Sequence, residues 1–321
     1  MSTDTMREYV RQALLRHAER DGWDALRTVG GLAEGINPAG PSELALRACL
    51  SAGGSPEQAG PAAASLYCLH TAVHLVDDII DGEERPLLPL SPGLRANFSL
   101  ALQSLAIELL TEAPPALQPA LMRAVAAAGW DTARGQELDA GGAADEEAYW
   151  RIVEAKTPPL FTAALFTGAL LGGASPEAAH ALSAAGTPMG VLVQLGDDLG
   201  DVMAPELHPD WSRPGDNIVL RFAAEADHPE RERFRALVER ITEEGAHDEA
   251  ADILVRCGAM SFCVHHMLAA AAHARELVLG AGLADPAPVL ELLDRLAAPA
   301  TETLAELGAD ACTLLPEAAA L

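Results

Sequence analysis

The amino-acid sequence predicts an all-α fold, and two observations support that prediction. Apolar residues recur at helical spacing through almost the whole chain, and no segment sustains the apolar/polar alternation that a half-buried strand needs. Half of the 321 residues are hydrophobic and only 4% are aromatic, a composition typical of a large helical core built from alanine and leucine. We expect one domain spanning residues 1–321.

Ten helices follow from this periodicity, with three loops at 83–91, 140–146 and 205–216. Two helix starts are marked by Ser55-Pro56-Glu57 and Ser175-Pro176-Glu177, because each places Ser at the N-cap and Pro at the first helical position. The predicted helices span 5–20, 42–52, 56–82, 92–112, 115–139, 146–172, 176–204, 217–242, 248–280 and 286–308.

Charge and cysteine content exclude several classes of protein. The formal charge is −26, with 47 acidic and 21 basic residues, which would repel a nucleic acid. The five cysteines have no metal-ligand spacing and indicate core thiols in a reducing compartment. The apolar stretch from Pro158 to Ala174 is too short to span a bilayer. We expect a cytoplasmic protein without stable membrane insertion.

Two aspartate-rich segments share the pattern DDxxD. Asp77-Asp78-Ile79-Ile80-Asp81 is the first, and Asp197-Asp198-Leu199-Gly200-Asp201 begins 120 residues later. On a helix, the first and last aspartates of each trio lie on one face, one turn apart. Because each trio falls near the C-terminal end of its predicted helix, both the mutual repulsion and the helix dipole call for a cation.

The cation that suits these carboxylates is Mg²⁺, which takes oxygen ligands and commonly bridges carboxylates to substrate phosphates. Two facing trios could hold a magnesium cluster around one diphosphate and neutralise that leaving group. The alternative is a pair of solvated acidic helix faces. Apolar neighbours such as Val76 and Leu195 favour buried helices instead.

Four motifs in order resemble those of the trans-isoprenyl diphosphate synthases, also called polyprenyl synthetases, over residues 42–225. HTAVHLVDDIID and GVLVQLGDDLGD are similar to the family's two aspartate-rich motifs. ARGQELD, with Gln136, is similar to its GQ helix, and Lys156-Thr157 is similar to its KT motif. The resemblance implies an isoprenoid-synthase helical bundle around a deep central cavity, Mg²⁺ as cofactor in a cluster of up to about three ions, and a homodimer.

By position, the resemblance places Lys156 and Gln194 beside the substrate diphosphate. Lys156 is the only lysine of the chain, and its compact charge can meet a phosphate oxygen. Arg85 and Arg213 are further diphosphate-binding candidates, with loop-surface arginines as the alternative. The predicted metal-binding residues are Asp77, Asp78, Asp81, Asp197, Asp198 and Asp201, of which all but Asp201 are also predicted, with Lys156, to be catalytic.

The walls of the substrate cavity are predicted from the same positions. Ala72 and Val73 are small where short-chain members of the family often carry an aromatic residue, so a long prenyl chain could enter. Phe161 is expected to line the cavity as well. Gln136 and Thr157 could line it or could join buried helices by hydrogen bonds.

The acceptor side departs from the family pattern. Where a GGKRxRP segment is expected, residues 34–41 read EGINPAGP, without lysine or arginine. The arginine pair after the first motif is reduced to Arg85, and the loop after the second motif offers Arg213 and no lysine. A second diphosphate among six aspartates would then lack compensating cations.

We therefore expect magnesium-dependent ionisation of one allylic diphosphate, of the geranyl, farnesyl or geranylgeranyl class, followed by cyclisation or elimination as in terpene synthases. The alternative is a chain-elongating prenyltransferase that uses isopentenyl diphosphate. Prenyl transfer to a non-isoprenoid acceptor also stays open, without a diagnostic residue. A non-catalytic partner subunit is disfavoured because both aspartate motifs are intact.

Overall fold

The computed structural model describes residues 2–33, 37–80, 82, 88, 90–204 and 206–306. These residues form fifteen α-helices and a few short 3₁₀ turns, without a strand among them, which confirms the all-α prediction. The helices are α1 (Ser2–Asp21), α2 (Asp24–Leu32), α3 (Pro41–Ser51), α4 (Pro56–Ile80), α5 (Pro92–Leu109), α6 (Gln118–Ala140), α7 (Glu146–Lys156), α8 (Pro158–Leu171), α9 (Pro176–Ser183), α10 (Gly186–Met203), α11 (Ile218–Glu225), α12 (Arg231–Val238), α13 (Ala246–Arg256), α14 (Ala259–Gly280) and α15 (Ala287–Glu306).

The two marked helix starts lie where the sequence predicts them. The backbone N–H of Gln58 donates to Ser55 Oγ, and the Gln58 side chain accepts from the Ser55 backbone N–H at 2.8 Å. This reciprocal pair is a capping box at the start of α4. Ser175 caps α9 through its hydroxyl group alone, with Ser175 Oγ accepting from the Ala178 backbone N–H at 3.2 Å.

Four predicted helices are each divided in two, and α2 was not predicted at all. Pro158 begins α8 and ends α7 because proline has no N–H to continue the earlier helix. Gly258, with a φ of +86°, separates α13 from α14. The predicted helices 176–204 and 217–242 are likewise broken, the second near Pro229.

The helices that carry the sequence motifs pack on one another. α4 contacts α3, α5, α6 and α8, while α10 contacts α7, α8, α14 and α15. Gly190 of α10 lies so close to Pro158 of α8 that a Cβ atom there would be 2.6 Å from the proline Cα. Small residues therefore bring the second aspartate helix against the end of α7.

Within the described residues, no single helix combines the length and apolar character needed to cross a bilayer. The consecutive helices α13 and α14 meet that criterion only together, and they are bent by 56° relative to each other.

Candidate active site

The first aspartate motif occupies the last turn of α4. Asp77 keeps 22% of its side chain exposed, whereas Asp78 is buried. The one-residue step between them rotates the side chain by about 100° around the helix, which turns Asp77 toward α6 and α7 and Asp78 into the bundle. Asp81, the third member of the trio, lies outside the described residues.

Asp77 is joined to α6 and α7 by polar side chains. Gln136 Nε2 donates a short hydrogen bond to Asp77 Oδ1. Lys156 Nζ lies 3.5 Å from the same oxygen and 2.6 Å from Asp139 Oδ2. The GQ and KT motifs therefore meet at the first aspartate of the first trio.

Gly135 explains how α6 and α7 come close enough for this contact. A Cβ atom at this position would lie 2.5 Å from the Ala155 carbonyl group and 2.7 Å from the Lys156 backbone nitrogen. Any larger residue would push the end of α7 away from α6. The glycine of the GQ pair thus sets the position of Lys156, while the glutamine contacts Asp77.

The second aspartate motif lies at the C-terminal end of α10, and its members differ in exposure. Asp197 is exposed, Asp198 is 3% exposed, and the Asp201 side chain is 36% exposed. The first and last members thus face solvent, and the second faces the bundle. This is the same division as between Asp77 and Asp78.

Asp198 is held by several donors. The Tyr149 hydroxyl donates to Asp198 Oδ2 at 2.6 Å, and the Ile218 backbone N–H donates to the same oxygen at 2.7 Å. Gln194 Nε2 lies 3.4 Å from Oδ1, and Asn217 Nδ2 donates to the Asp198 carbonyl at 2.9 Å. Asp198 therefore ties α10 to α7 and to the start of α11.

Burial and neighbouring charge shift the acidity of this trio. Burial raises the pKa of Asp198 to about 7, although the hydrogen bonds from Tyr149, Ile218 and Gln194 oppose the rise. Although the Asp197 side chain is exposed at its surface, desolvation by the surrounding protein and the charge of Asp201 raise the pKa of Asp197 to about 6, against the opposing charge of Lys156. Burial also raises the pKa of Asp201.

Lys156 lies between the two trios. Its ammonium group pairs with Asp77 and acts electrostatically on Asp197. It also lines a cavity of about 20 Å³, together with Asp139, Tyr149, Gln194 and four other residues, which is room for about one water molecule. A separate cavity of about 450 Å³, between α6 and α8, includes no aspartate of either trio.

The remaining predicted site residues are less closely grouped. Arg213 is 63% exposed and lies 3.8 Å from Asp216, and Arg85 lies outside the described residues. Phe161 is buried in α8, and Thr157 sits at the junction of α7 and α8. Ala72 is fully buried, and its carbonyl accepts a hydrogen bond from Ser99 of α5, while Val73 is half-buried.

Several polar residues of this region were not singled out from the sequence. His70 and His74 lie one turn apart on α4, with their Nε2 atoms 2.9 Å apart. An HxxxH pair ending four residues before Asp78 is a readable signal, because it falls on one helix face. Asp139 and Tyr149 carry no such local signal, since their partners lie 17 and 49 residues away.

The exposed carboxylates fit a magnesium site. Asp77, Asp197 and Asp201 offer oxygen atoms with access to water, and Mg²⁺ keeps several waters when carboxylates bind it. Gln136 Oε1, beside Asp77, is buried without a hydrogen-bond partner among the described residues, so it could accept from a metal-bound water. Asp198 fits less well, because its carboxylate already accepts from Tyr149 and Ile218.

The structure has the same fold as solved prenyl diphosphate synthases. Geranylgeranyl pyrophosphate synthetase from Pyrococcus horikoshii matches with a TM-score of 0.75 and 20% identity, over 92% of this chain and 95% of that one. Decaprenyl diphosphate synthase from Rhodobacter capsulatus matches with a TM-score of 0.73 and 22% identity, over 94% and 96%.

Sequence comparison extends the likeness. A short chain isoprenyl diphosphate synthase from Methanothermobacter thermautotrophicus is 27% identical over 275 residues, 78% of this chain and 79% of that protein. A geranylgeranyl diphosphate synthase from Methanosarcina mazei is 35% identical over 159 residues, 46% of this chain and about half of that protein's length (49%). The model of the polyprenyl synthetase family matches residues 43–209, more than half of the chain. The chain therefore belongs to the polyprenyl synthetase family.

Proposed function

We propose that this protein is a magnesium-dependent, chain-elongating prenyl diphosphate synthase, which condenses an allylic diphosphate with isopentenyl diphosphate. The names of its relatives favour chain elongation over the terpene-synthase-like cyclisation expected from the sequence. The single structural observation that supports the proposal is the position of Lys156, which is paired with Asp77 and lies within electrostatic reach of Asp197.

That position suits recognition of a diphosphate leaving group. Mg²⁺ held by Asp77 and Asp197 would neutralise the diphosphate as its bond to the allylic carbon breaks. Lys156 adds a mobile positive charge that can leave Asp77 for a phosphate oxygen. Asp139, 2.6 Å from the ammonium group, holds Lys156 in place while the site is empty of substrate. Charge placed in advance where negative charge develops is an efficient way to lower the barrier.

The acceptor diphosphate needs hydrogen-bond donors of its own, and α4 offers two side chains that the sequence analysis did not single out. His70 and His74 precede Asp77 by seven and three residues, about two turns and one turn on the same helix face. Both side chains are partly exposed, and their Nε2 atoms are directed toward each other at 2.9 Å. In this proposal the imidazole pair replaces part of the missing basic segment by donating hydrogen bonds to the acceptor diphosphate.

A second candidate function is ionisation of an allylic diphosphate without an acceptor, as first expected. It is favoured by one specific observation: residues 34–41 contain no lysine or arginine. It is also compatible with the arrangement of the two aspartate trios, because ionisation is common to both reactions.

Product analysis separates the two candidates. Purified protein would be incubated with Mg²⁺ and farnesyl diphosphate, with and without isopentenyl diphosphate. Chain elongation predicts longer diphosphates only when isopentenyl diphosphate is present. Hydrocarbon or alcohol products from farnesyl diphosphate alone, unchanged by the acceptor, would contradict the proposal and favour the second candidate.

A variant pair tests the acceptor site. His70→Ala is expected to raise the KM for isopentenyl diphosphate by about tenfold or more, since a hydrogen bond to a charged group contributes about 1.5–3 kcal/mol. The KM for the allylic diphosphate should change little. His273→Ala, which removes an exposed histidine of α14, is the matched control and should alter neither constant.

A further inference from the structure

Three side chains at the end of α10 and in the following loop form a cluster of a different composition from the aspartate trios. Asp201, His208 and Asp210 each offer one ligand atom, and these atoms lie within 4.8 Å of one another. His208 and Asp210 belong to neither sequence motif and were not singled out from the sequence. All three side chains are half-buried, which leaves the cluster accessible to an ion from solution.

The histidine ring bridges the two carboxylates. His208 Nε2 lies 3.6 Å from Asp201 Oδ1, and His208 Nδ1 lies 3.3 Å from Asp210 Oδ1. Metal–nitrogen and metal–oxygen bonds are about 2.0–2.2 Å long, so one ion can contact both Nε2 and the Asp201 oxygen at their present separation. In the metal-free protein His208 Nδ1 accepts from the Asp210 backbone N–H at 3.4 Å. An ion at Nε2 would leave the ring proton on Nδ1, beside Asp210 Oδ1, which is where a carboxylate commonly orients a metal-bound histidine.

Asp210 is held in place by a buried asparagine. Asn217 is fully buried, and its Nδ2 donates to Asp210 Oδ2 at 3.1 Å and to the Asp198 carbonyl at 2.9 Å. This anchors the Asp210 carboxylate to the second aspartate motif and leaves Oδ1 directed at His208. Asn217 thus holds Asp210, and Asp210 in turn lies beside His208. Metal-bound histidines are commonly supported by such a series of polar side chains.

The local electrostatics favour a cation. The last turn of α10 carries no basic residue, and its free carbonyl groups add negative potential at the same end of the helix. Asp210 contributes a further negative charge from the loop.

We propose that Asp201, His208 and Asp210 form a divalent-cation site that prefers Mn²⁺, Co²⁺ or Zn²⁺ to Mg²⁺. Asp201 and His208 supply the direct ligands, and Asp210 orients the histidine. The preference follows from the imidazole nitrogen, which suits transition metals, whereas Mg²⁺ suits oxygen ligands alone. Because the ligands come from the protein, this site fills without a diphosphate, unlike magnesium sites that substrate phosphates complete. An ion here joins the loop to the end of α10.

Cobalt binding tests the proposal directly. Bound metal would first be removed from untagged protein with EDTA, and the EDTA would then be removed by dialysis. The protein would be titrated with Co²⁺ in the absence of any diphosphate, and the cobalt d–d absorption would be recorded. We expect about one tight Co²⁺ per chain, which an equal concentration of Mg²⁺ does not displace. Zn²⁺ should displace it, as read by loss of the absorption.

Variants assign the site. His208→Ala is expected to remove the tight Co²⁺, and Asp210→Asn to weaken it by about 10–100-fold, as loss of a supporting carboxylate usually does. His273→Ala serves as the control for an exposed histidine, and circular dichroism checks that each variant is folded. Unchanged Co²⁺ affinity in His208→Ala would overturn the proposal, as would equal competition by Mg²⁺, and either result would show His208 to be a link between two carboxylates only.

The measurement is independent of turnover. A protein that binds Co²⁺ through His208 but makes no elongated product would contradict the proposed function and support the cation site. If the protein elongates normally while His208→Ala binds Co²⁺ like the wild type, the result would support the proposed function and contradict the cation site. The two proposals can therefore fail separately.

Discussion

The two aspartate motifs have the same sequence pattern but different surroundings. In the first motif, side chains from α6 and α7 reach the leading aspartate, since Gln136 and Lys156 both contact Asp77. In the second, the protein's donors converge on the middle aspartate, Asp198, and leave the leading one, Asp197, exposed. Identical residues in identical helical positions thus differ in which carboxylate the protein already holds.

One feature is shared. The middle aspartate of each motif is buried, with Asp78 at 4% and Asp198 at 3% exposure, whereas the leading aspartates are more accessible. Helical geometry explains this, because positions i and i+4 share a face and position i+1 is turned away from it. The comparison divides the predicted metal ligands into aspartates that can reach a metal ion and aspartates that hold the helices in place.

The largest expected effect separates these two classes. Asp77→Asn or Asp197→Asn should lower kcat by about 10²–10³-fold, because each removes charge that would bind the ion at the leaving group. Asp198→Asn should lower kcat by less than about tenfold and instead reduce the free energy of unfolding by about 1–3 kcal/mol, since the asparagine keeps only one acceptor oxygen for the buried donors from Tyr149, Ile218 and Gln194. Steady-state kinetics and urea denaturation measure the two quantities.

The opposite pattern would break this division. If Asp198→Asn abolished turnover while its stability and circular dichroism matched the wild type, Asp198 would have to reach the metal or substrate directly. The hydrogen bonds from Tyr149 and Ile218 would then be present only in the metal-free protein and would break when the metal binds.

A smaller effect is expected at the lysine that faces both motifs. Lys156→Met keeps the length of the side chain but removes its charge, and it should lower kcat by about 100-fold, as loss of one charge-stabilising donor commonly does. Asp139→Asn should cost less than about tenfold, because it releases Lys156 without removing it. Equal losses in both variants would show that holding Lys156 matters as much as its charge.

The fold class and the placement of the leading aspartates near the ends of two helices could be predicted because they depend on local patterns. Serine caps, helical periodicity and the i, i+4 spacing all lie within one or two turns of chain. The breaks at Pro158 and Gly258 were missed although each residue is visible in the sequence, since helical periodicity continues on both sides of it. The helix α2 was missed because a nine-residue segment contains too few turns for a clear period.

The hydrogen-bond partners of Asp198 could not be predicted, because they are distant in the chain. Tyr149 lies 49 residues before it and Ile218 lies 20 residues after it, and no local pattern connects them. The same holds for the cluster of Asp201, His208 and Asp210, where the loop must fold back on α10. Predictions at Asp81 and Arg85 fall outside the described residues and stay predictions.

A third test concerns the close approach that places Lys156 beside Asp77. Gly135→Ala should reduce the free energy of unfolding by about 1–3 kcal/mol, since the added methyl would overlap the Ala155 carbonyl at 2.5 Å. It should also lower kcat by moving Lys156. Gly93→Ala in α5 is the matched control, because a Cβ atom there meets nothing within 4 Å, and it should be neutral or slightly stabilising. Equal stability of the two variants would show that α7 can shift freely.

The most gradual expected effect is a pH dependence that belongs to the buried middle aspartate. Burial raises the pKa of Asp198 from its ordinary 3.8 to about 7 in the folded, metal-free protein. Between these values the folded state binds a proton that the unfolded state does not, so stability decreases as the pH rises through this window. In EDTA, the difference in unfolding free energy between wild type and Asp198→Asn should fall by at most about 1.4 kcal/mol per pH unit from pH 5 to 7. Urea denaturation at several pH values measures it, and parallel profiles would mean that Tyr149 and Ile218 keep this carboxylate ionised throughout.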